Sequence, residues 1–142
     1  MRFQKKKNNP RILVLLFPVL IFLPAILSKG NQPEILPLNS RQINEMLLGG
    51  DSLTLIDGRD SLSFSRGHIK DALHIDPHQP EAEALIGLLD PAQTYVIYCR
   101  THNRSLRIIQ LMRDSELEFE TVYLMVDGFL GWSRNELPIV IP

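Results

Sequence analysis

The chain has 142 residues, 44% of them hydrophobic, and a formal net charge of −1 at pH 7, which suits one folded domain with one buried core. Residues 1–30 hold six Lys and Arg and no acid, whereas residues 31–142 hold nine against all sixteen Asp and Glu, a net charge of −7. Because the domain is acidic, we expect no nucleic-acid partner.

The chain begins with a basic segment, residues 2–11, followed by an uncharged stretch over residues 12–28. This pattern is typical of an export signal or a signal anchor whose basic end stays in the cytoplasm. We therefore expect a signal peptide or membrane anchor in residues 1–30 and a folded domain in residues 31–142, periplasmic or anchored in the cytoplasmic membrane. Sixteen apolar residues in a helix span about 24 Å, short of the ~30 Å hydrocarbon core. Cleavage and membrane contact through residues 12–28 thus both stay open.

The rest of the chain alternates between strand and helix patterns. Asn39 or Ser40 is a suitable N-cap for the first helix, and Gly49 and Gly50 end it. The apolar residues Leu106, Ile109 and Met112 follow helical spacing and are expected to face the core. The predicted strands cover part of 32–38, then 52–56, 72–75, 94–98 and 121–125, and the predicted helices cover 41–48, 61–66, 80–89 and 104–113, with a last helix packed through Trp132. This order predicts an α/β fold with a mostly parallel central sheet and helices on both faces.

Cys99, the only cysteine, directly follows the apolar strand 94–98 and precedes a loop that contains Arg100 and Arg104. A helix N-terminus and nearby cations favour the thiolate form, which is the nucleophile. If residues 101–105 curl into the first helical turn, backbone N–H groups without helical partners converge on the sulfur. A buried structural cysteine is the alternative. In an exported domain an unpaired thiol would serve catalysis or an intermolecular disulfide.

Four segments in the same order resemble the rhodanese family, which is α/β in fold, over about residues 35–140. Residues 99–105, Cys-Arg-Thr-His-Asn-Arg-Ser, are similar to its active-site loop. The others resemble its Asp-x-Arg motif (residues 55–59), its Gly-His-Ile signature (65–69) and its Gly-Gly…Trp…Leu-Pro tail (127–138). Three residues depart from the family's glycines: His102, where the backbone is expected to need a positive φ, Asp71 and Asp127. These changes concern rate and substrate preference.

The resemblance implies a sulfurtransferase without a cofactor. Cys99 would attack the outer sulfur of a small anionic donor such as thiosulfate, and a thiophilic acceptor, or a protein thiol, would discharge the resulting persulfide. The loop would stabilise the negative charge through its backbone N–H groups, and Arg104 would hold the loop and the anion. Arg100 suits a sulfonate-bearing donor. The loop residues implied are Arg100, Thr101, His102, Asn103 and Arg104.

Three further residues are expected to support the site. Asp57 and Arg59 either orient the loop or pair with each other, and His68 is expected to be a hydrogen-bonding scaffold residue. His102 either assists proton transfer or faces solvent. Arg107 either joins Arg100 and Arg104 in a cationic cluster or belongs to a solvated helix face. The other histidines, His74 and His78, lack metal-ligand spacing, so we expect no metal site.

Two other functions stay open at this point. One is an exported sulfur carrier or redox-partner module with little turnover, which the changes at His102 and Asp127 would allow. The other is a rhodanese-like phosphatase. Four residues separate Cys99 from Arg104, whereas the related phosphatases have five, and the wider ring accommodates a tetrahedral oxyanion. The shorter loop favours the persulfide.

Overall fold

The computed structural model describes residues 32–142. The predicted signal peptide or anchor in residues 1–30 lies outside this part of the chain and stays a prediction. Within residues 32–142, none of the helices has the length and apolar character needed to cross a membrane.

Five parallel strands form one central sheet. They are β1 (Glu34–Leu38), β2 (Leu53–Asp57), β3 (Leu73–His74), β4 (Thr94–Tyr98) and β5 (Thr121–Met125). The spatial order is β1-β5-β4-β2-β3, and all neighbours run parallel. The predicted α/β class with a mostly parallel sheet is therefore confirmed. Strands β2 and β4 are neighbours, with Asp57 level with Tyr98, so the residues that follow them emerge side by side at one edge of the sheet.

Helices cover both faces of the sheet, as predicted. They are α1 (Ser40–Gly49), α2 (Ser61–Ser65), α3 (Ala82–Ile86), α4 (Asn103–Asp114) and α5 (Gly128–Arg134). Successive strand side chains point to opposite faces: Ile97 packs in one core cluster with residues of α3 and α4, and Val96 packs in the other with Ile43 of α1 and Trp132 of α5. Trp132 is buried and donates its indole N–H to the carbonyl of Pro138 at 2.9 Å.

The ends of α1 follow from local sequence. The Asn39 side chain accepts from the Gln42 N–H, and the Gln42 side chain accepts from the Asn39 N–H, which forms a capping box. Gly50 ends the helix with a φ of 87°, a left-handed conformation that suits glycine. Helix α3 is shorter than the predicted 80–89, because its N-cap Glu81 makes no side-chain cap bond and Gly87 ends it.

The prediction that Leu106 faces the core is wrong, since 48% of its surface is exposed. The buried face of α4 carries Ser105, Ile108, Ile109 and Met112, which is the i, i+3, i+4, i+7 pattern of one helix face. Leu106 lies about 100° around the helix from Ser105. The predictions for Ile109 and Met112 are confirmed.

Candidate active site

Cys99 lies at the carboxyl end of β4 and lines a cleft of about 550 Å³. Parallel sheets bind ligands at this edge. Three parts of the fold form its walls. The loop after β4 contributes Arg100, Thr101, Asn103 and Arg104; the segment around α2 contributes Arg59, Asp60, Ser63, Arg66 and Gly67; and α5 with the chain end contributes Phe129, Leu130, Ser133 and Ile139.

The backbone of the loop is oriented by α5. The carbonyls of Cys99 and Arg100 accept hydrogen bonds from the N–H groups of Phe129 and Leu130, at 2.8 and 3.1 Å. Over residues 100–105, by contrast, no backbone N–H has a hydrogen-bond acceptor within the described part of the chain. These six N–H groups, which directly follow Cys99 in the chain, are thus available as hydrogen-bond donors to an anion.

Gly128 permits this close approach of α5 to the loop. Its φ is 56°, and a Cβ at this position would lie 2.6 Å from the carbonyl oxygen of Cys99 and 2.7 Å from that of Arg100, with the carbonyl of Thr101 closer still. Side chains disfavour a positive φ, and backbone oxygens cannot move aside easily. Only glycine therefore fits between α5 and the loop.

Arg104 forms an ion pair with Asp60 across the cleft. Its Nη1 lies 3.1 Å from the Asp60 Oδ2, and both side chains are partly exposed. Asp60 also accepts the N–H of Ser63 as the N-cap of α2. The hydrogen bonds from Ser63, and then the one from Arg104, hold the pKa of the Asp60 carboxyl well below its ordinary value. The carboxylate therefore stays ionised and keeps the Arg104 side chain at the cleft.

Asp57 and Arg59 pair with each other, one of the two roles expected for them. The Arg59 Nη2 lies 2.6 Å from the Asp57 Oδ2 and 2.7 Å from the carbonyl of Gly67, and both side chains are buried. The Arg59 guanidinium also stacks 3.6 Å from the ring centroid of Phe129. This cluster connects the segment after β2 with α5, and two of its members, Arg59 and Phe129, line the cleft.

Tyr98, beside this cluster, is held in its neutral form. Its hydroxyl accepts the N–H of Ile69 at 3.3 Å, and burial, reinforced by the negative charge of Asp57, raises the pKa of the phenol far above its ordinary value. The residue before Cys99 is thus a buried structural tyrosine at any working pH.

His68 has the contacts of a scaffold residue. Its Nδ1 lies 3.1 Å from the carbonyl of Phe64, its ring stacks on the Phe64 ring, and its backbone pairs with Val140 in an antiparallel bridge. These contacts connect the end of α2 to the C-terminal segment that carries Ile139 into the cleft wall.

The prediction of a positive φ at His102 is wrong, whereas the alternatives left open for His102 and Arg107 are decided by their exposure. His102 has a φ of −149°, so the position needs no left-handed backbone and accepts histidine without strain. Its side chain is exposed and does not line the cleft, which is the solvent-facing alternative. Arg107 is also exposed and lines a separate, smaller cavity with Glu83 and Asp114. It therefore belongs to a solvated helix face, the second alternative, and does not line the cleft with Arg100 and Arg104.

The other two departures from the family's glycines have distinct contacts. Asp71 has a φ of 61°, within the left-handed region that glycine favours and aspartate tolerates. The Asp127 carboxylate accepts the backbone N–H and the hydroxyl of Ser40, at 2.8 and 2.7 Å. Asp127 thereby binds the first turn of α1 to the start of α5.

Sequence reasoning did not assign eight of the cleft residues to the site: Asp60, Ser63, Arg66, Gly67, Phe129, Leu130, Ser133 and Ile139. Asp60 is 44 residues from Arg104 in the chain. Arg66 and Phe129 lie in segments that resemble the family's motifs, but those motifs do not reveal that either residue lines the cleft. The one available signal was Asp60 at an N-cap position before Ser61. It predicts the start of α2 but not the ion pair.

The comparisons with known proteins show the family of the chain. A model of the rhodanese-like domain family matches residues 40–135, and the chain belongs to that family. It is 34% identical over 107 residues to the thiosulfate sulfurtransferase GlpE of Haemophilus influenzae, covering 75% of this chain and 92% of that protein. It is 32% identical over 96 residues to an uncharacterized protein of Synechocystis, of which it spans 48%.

Solved structures of other proteins have the same fold as this chain. The rhodanese-related protein of Thermoplasma volcanium superimposes with a TM-score of 0.63 at 20% identity, over 75% of this chain and 99% of that one. The family model and the curated relatives together place the chain among the single-domain rhodanese-like sulfurtransferases at the level of the family.

Proposed function

We propose that this protein transfers a sulfane sulfur from a small anionic donor such as thiosulfate to a thiophilic acceptor through a persulfide on Cys99. The observation that carries the proposal is that Cys99 lines a cleft and is followed in the chain by six backbone N–H groups that have no acceptor within residues 32–142. Such N–H groups can donate hydrogen bonds to an anionic sulfur on Cys99.

The proposed reaction has two steps. The Cys99 thiolate attacks the outer sulfur of thiosulfate, the sulfur–sulfur bond of the donor breaks, and sulfite leaves with the electron pair. The acceptor then attacks the outer sulfur of the persulfide, and the Cys99 thiolate leaves. This is covalent catalysis with a ping-pong order. The similarity to GlpE, a thiosulfate sulfurtransferase, supports the choice of donor.

Charge in the cleft also supports an anionic donor. Four of the nine Lys and Arg in residues 32–142 line it, against one of sixteen carboxylates, Asp60. Arg100, next to Cys99, is exposed and has no carboxylate partner in the described part of the chain. Its guanidinium is therefore available to a sulfonate group.

The mass of the protein after exposure to thiosulfate tests the proposal. We expect a gain of one sulfur atom, reversed by cyanide, in the wild type and none in Cys99→Ser, with circular dichroism showing that this variant is folded. A wild type that gains no sulfur would refute the proposal. A wild type that gains sulfur but turns over slowly with every acceptor would instead support the sulfur-carrier function.

We propose in addition that the domain works outside the cytoplasm, with residues 1–30 as a cleaved signal or an anchor. The support is the basic segment followed by the apolar stretch 12–28 in the sequence.

A further inference from the structure

Arg66 is a cation in the cleft wall that the proposed sulfur transfer does not use. It is the C-cap residue of α2, it is exposed, and it lines the same cleft as Cys99. The two salt bridges found in residues 32–142 belong to Arg59 and Arg104. The Arg66 guanidinium therefore has no carboxylate partner there and makes no side-chain hydrogen bond.

Arg66 and Arg100 are the uncompensated charges of the cleft. Of its four arginines, Arg59 is neutralised by Asp57 and Arg104 by Asp60. Arg100 belongs to the loop beside Cys99, whereas Arg66 comes from the end of α2, a different wall. A substrate with one anionic group near its sulfur would use Arg100 alone, so the second cation indicates an anionic group in another part of the substrate.

The size and the apolar wall of the cleft indicate an organic substrate. A cleft of about 550 Å³ falls within the ~300–1,000 Å³ range of sites for organic ligands, and a small inorganic anion fills only part of it. The apolar residues Phe129, Leu130 and Ile139 line the cleft, and 43% of the Ile139 surface is exposed. If the hydrocarbon part of a substrate packed against these residues, its apolar surface would be removed from water, which favours binding.

We propose that Arg66 is a specificity-determining residue that binds the carboxylate of an organic thiol acceptor, whose hydrocarbon part lies against Leu130 and Ile139. This inference rests on the proposed sulfur transfer and names the acceptor class for it. The acceptor thiolate attacks the outer sulfur of the Cys99 persulfide. The bond between the two persulfide sulfurs breaks, the acceptor leaves as an organic persulfide, and Cys99 regains its thiolate.

The test compares two acceptors of equal chain length, mercaptohexanoate and mercaptohexanol, on protein loaded beforehand with sulfur. Because the two acceptors differ only in their terminal group, the ratio of their kcat/KM values measures the contribution of the carboxylate. We expect the wild type to prefer the carboxylate by about threefold to fivefold, the scale of an exposed ion pair, through a lower KM. Arg66→Gln should bring the ratio close to one, and the control Arg107→Gln should keep it, because Arg107 lies at another cavity.

A second measurement does not depend on sulfur transfer. Cys99 is the only thiol, so its alkylation by iodoacetamide reports whether the cleft is occupied. Hexanoate should slow alkylation of the wild type more than hexanol does, and Arg66→Gln should remove the difference. A wild type that gains no sulfur from thiosulfate would refute the proposed function alone, and the alkylation rates would still decide the role of Arg66. The inference would be overturned if the wild type showed no difference between the acid and the alcohol in either measurement. It would also be overturned if the preference for the acid survived in Arg66→Gln.

Discussion

The carboxylate of Asp127 accepts both the backbone N–H and the hydroxyl of Ser40, a residue 87 positions earlier in the chain. The Asn135 side chain donates to the same Ser40 hydroxyl at 2.9 Å. These bonds join the N-terminus of α1 to both ends of α5. Because α5 holds the carbonyls of Cys99 and Arg100, this contact supports the candidate active site from behind.

Removal of the Asp127 carboxylate should therefore destabilise the fold. Asp127→Ala leaves the Ser40 N–H without its acceptor, and we expect the free energy of unfolding to fall by about 1–2 kcal/mol. Asp127→Asn keeps one carbonyl acceptor and should lose less. Chemical denaturation of the three proteins measures both changes. An Ala variant as stable as the wild type would show that the bonds contribute nothing.

Gly128→Ala should disrupt the loop. A Cβ there meets the carbonyls of Cys99, Arg100 and Thr101, and the φ of 56° is itself unfavourable. We expect the free energy of unfolding to fall by more than about 3 kcal/mol, or the variant to fail to fold. Gly49→Ala is the matched control, since nothing lies within 4 Å of its added Cβ. Thermal unfolding of both variants makes the comparison, and equal Tm values would contradict the packing described here.

Asp57→Asn should be costly because it leaves the Arg59 guanidinium buried beside a neutral group. Loss of one partner of a buried ion pair destabilises proteins by about 3–5 kcal/mol, and the retained amide oxygen puts our expectation at the lower end. The exposed Asp51 provides the control Asp51→Asn. Denaturant titration measures the free energy of unfolding of both variants. A difference below about 1 kcal/mol between them would contradict the prediction.

Arg100→Ala should raise the KM for thiosulfate by about threefold to fivefold with a smaller change in kcat, because an exposed cation attracts the donor without holding the loop. The effect should shrink as salt is added. Arg107→Ala should behave as the wild type. Steady-state kinetics at two ionic strengths test this, and a salt-independent kcat/KM equal to that of the wild type would make Arg100 a surface residue only.

Export is tested by a reporter fused after Pro142. The basic segment and the apolar stretch 12–28 predict activity for a reporter that works only outside the cytoplasm. A reporter active only in the cytoplasm would overturn the prediction. For an exported protein, the molecular mass of the chain recovered from the membrane fraction would distinguish an uncleaved anchor from a cleaved signal.

Features that depend on neighbouring residues were predictable from the sequence. The Asn39 cap, the strand 94–98 and the loop that follows it all carry local patterns. The contacts that shape the cleft join distant segments, such as Arg104 with Asp60 and Asp127 with Ser40, and no local pattern encodes them. Leu106 was assigned to the wrong face because three apolar residues at helical spacing do not define the rotation of a helix against a sheet.

The single cysteine bears on how long a bound sulfur would be retained. A persulfide on Cys99 would have no second thiol in the same chain to attack it and release the sulfur as sulfide. With the residue 2% exposed at the cleft, discharge would wait for a molecule that enters and fits. The lifetime of the loaded state would then be determined by the supply and shape of the acceptor, and the protein could hold its sulfur between encounters.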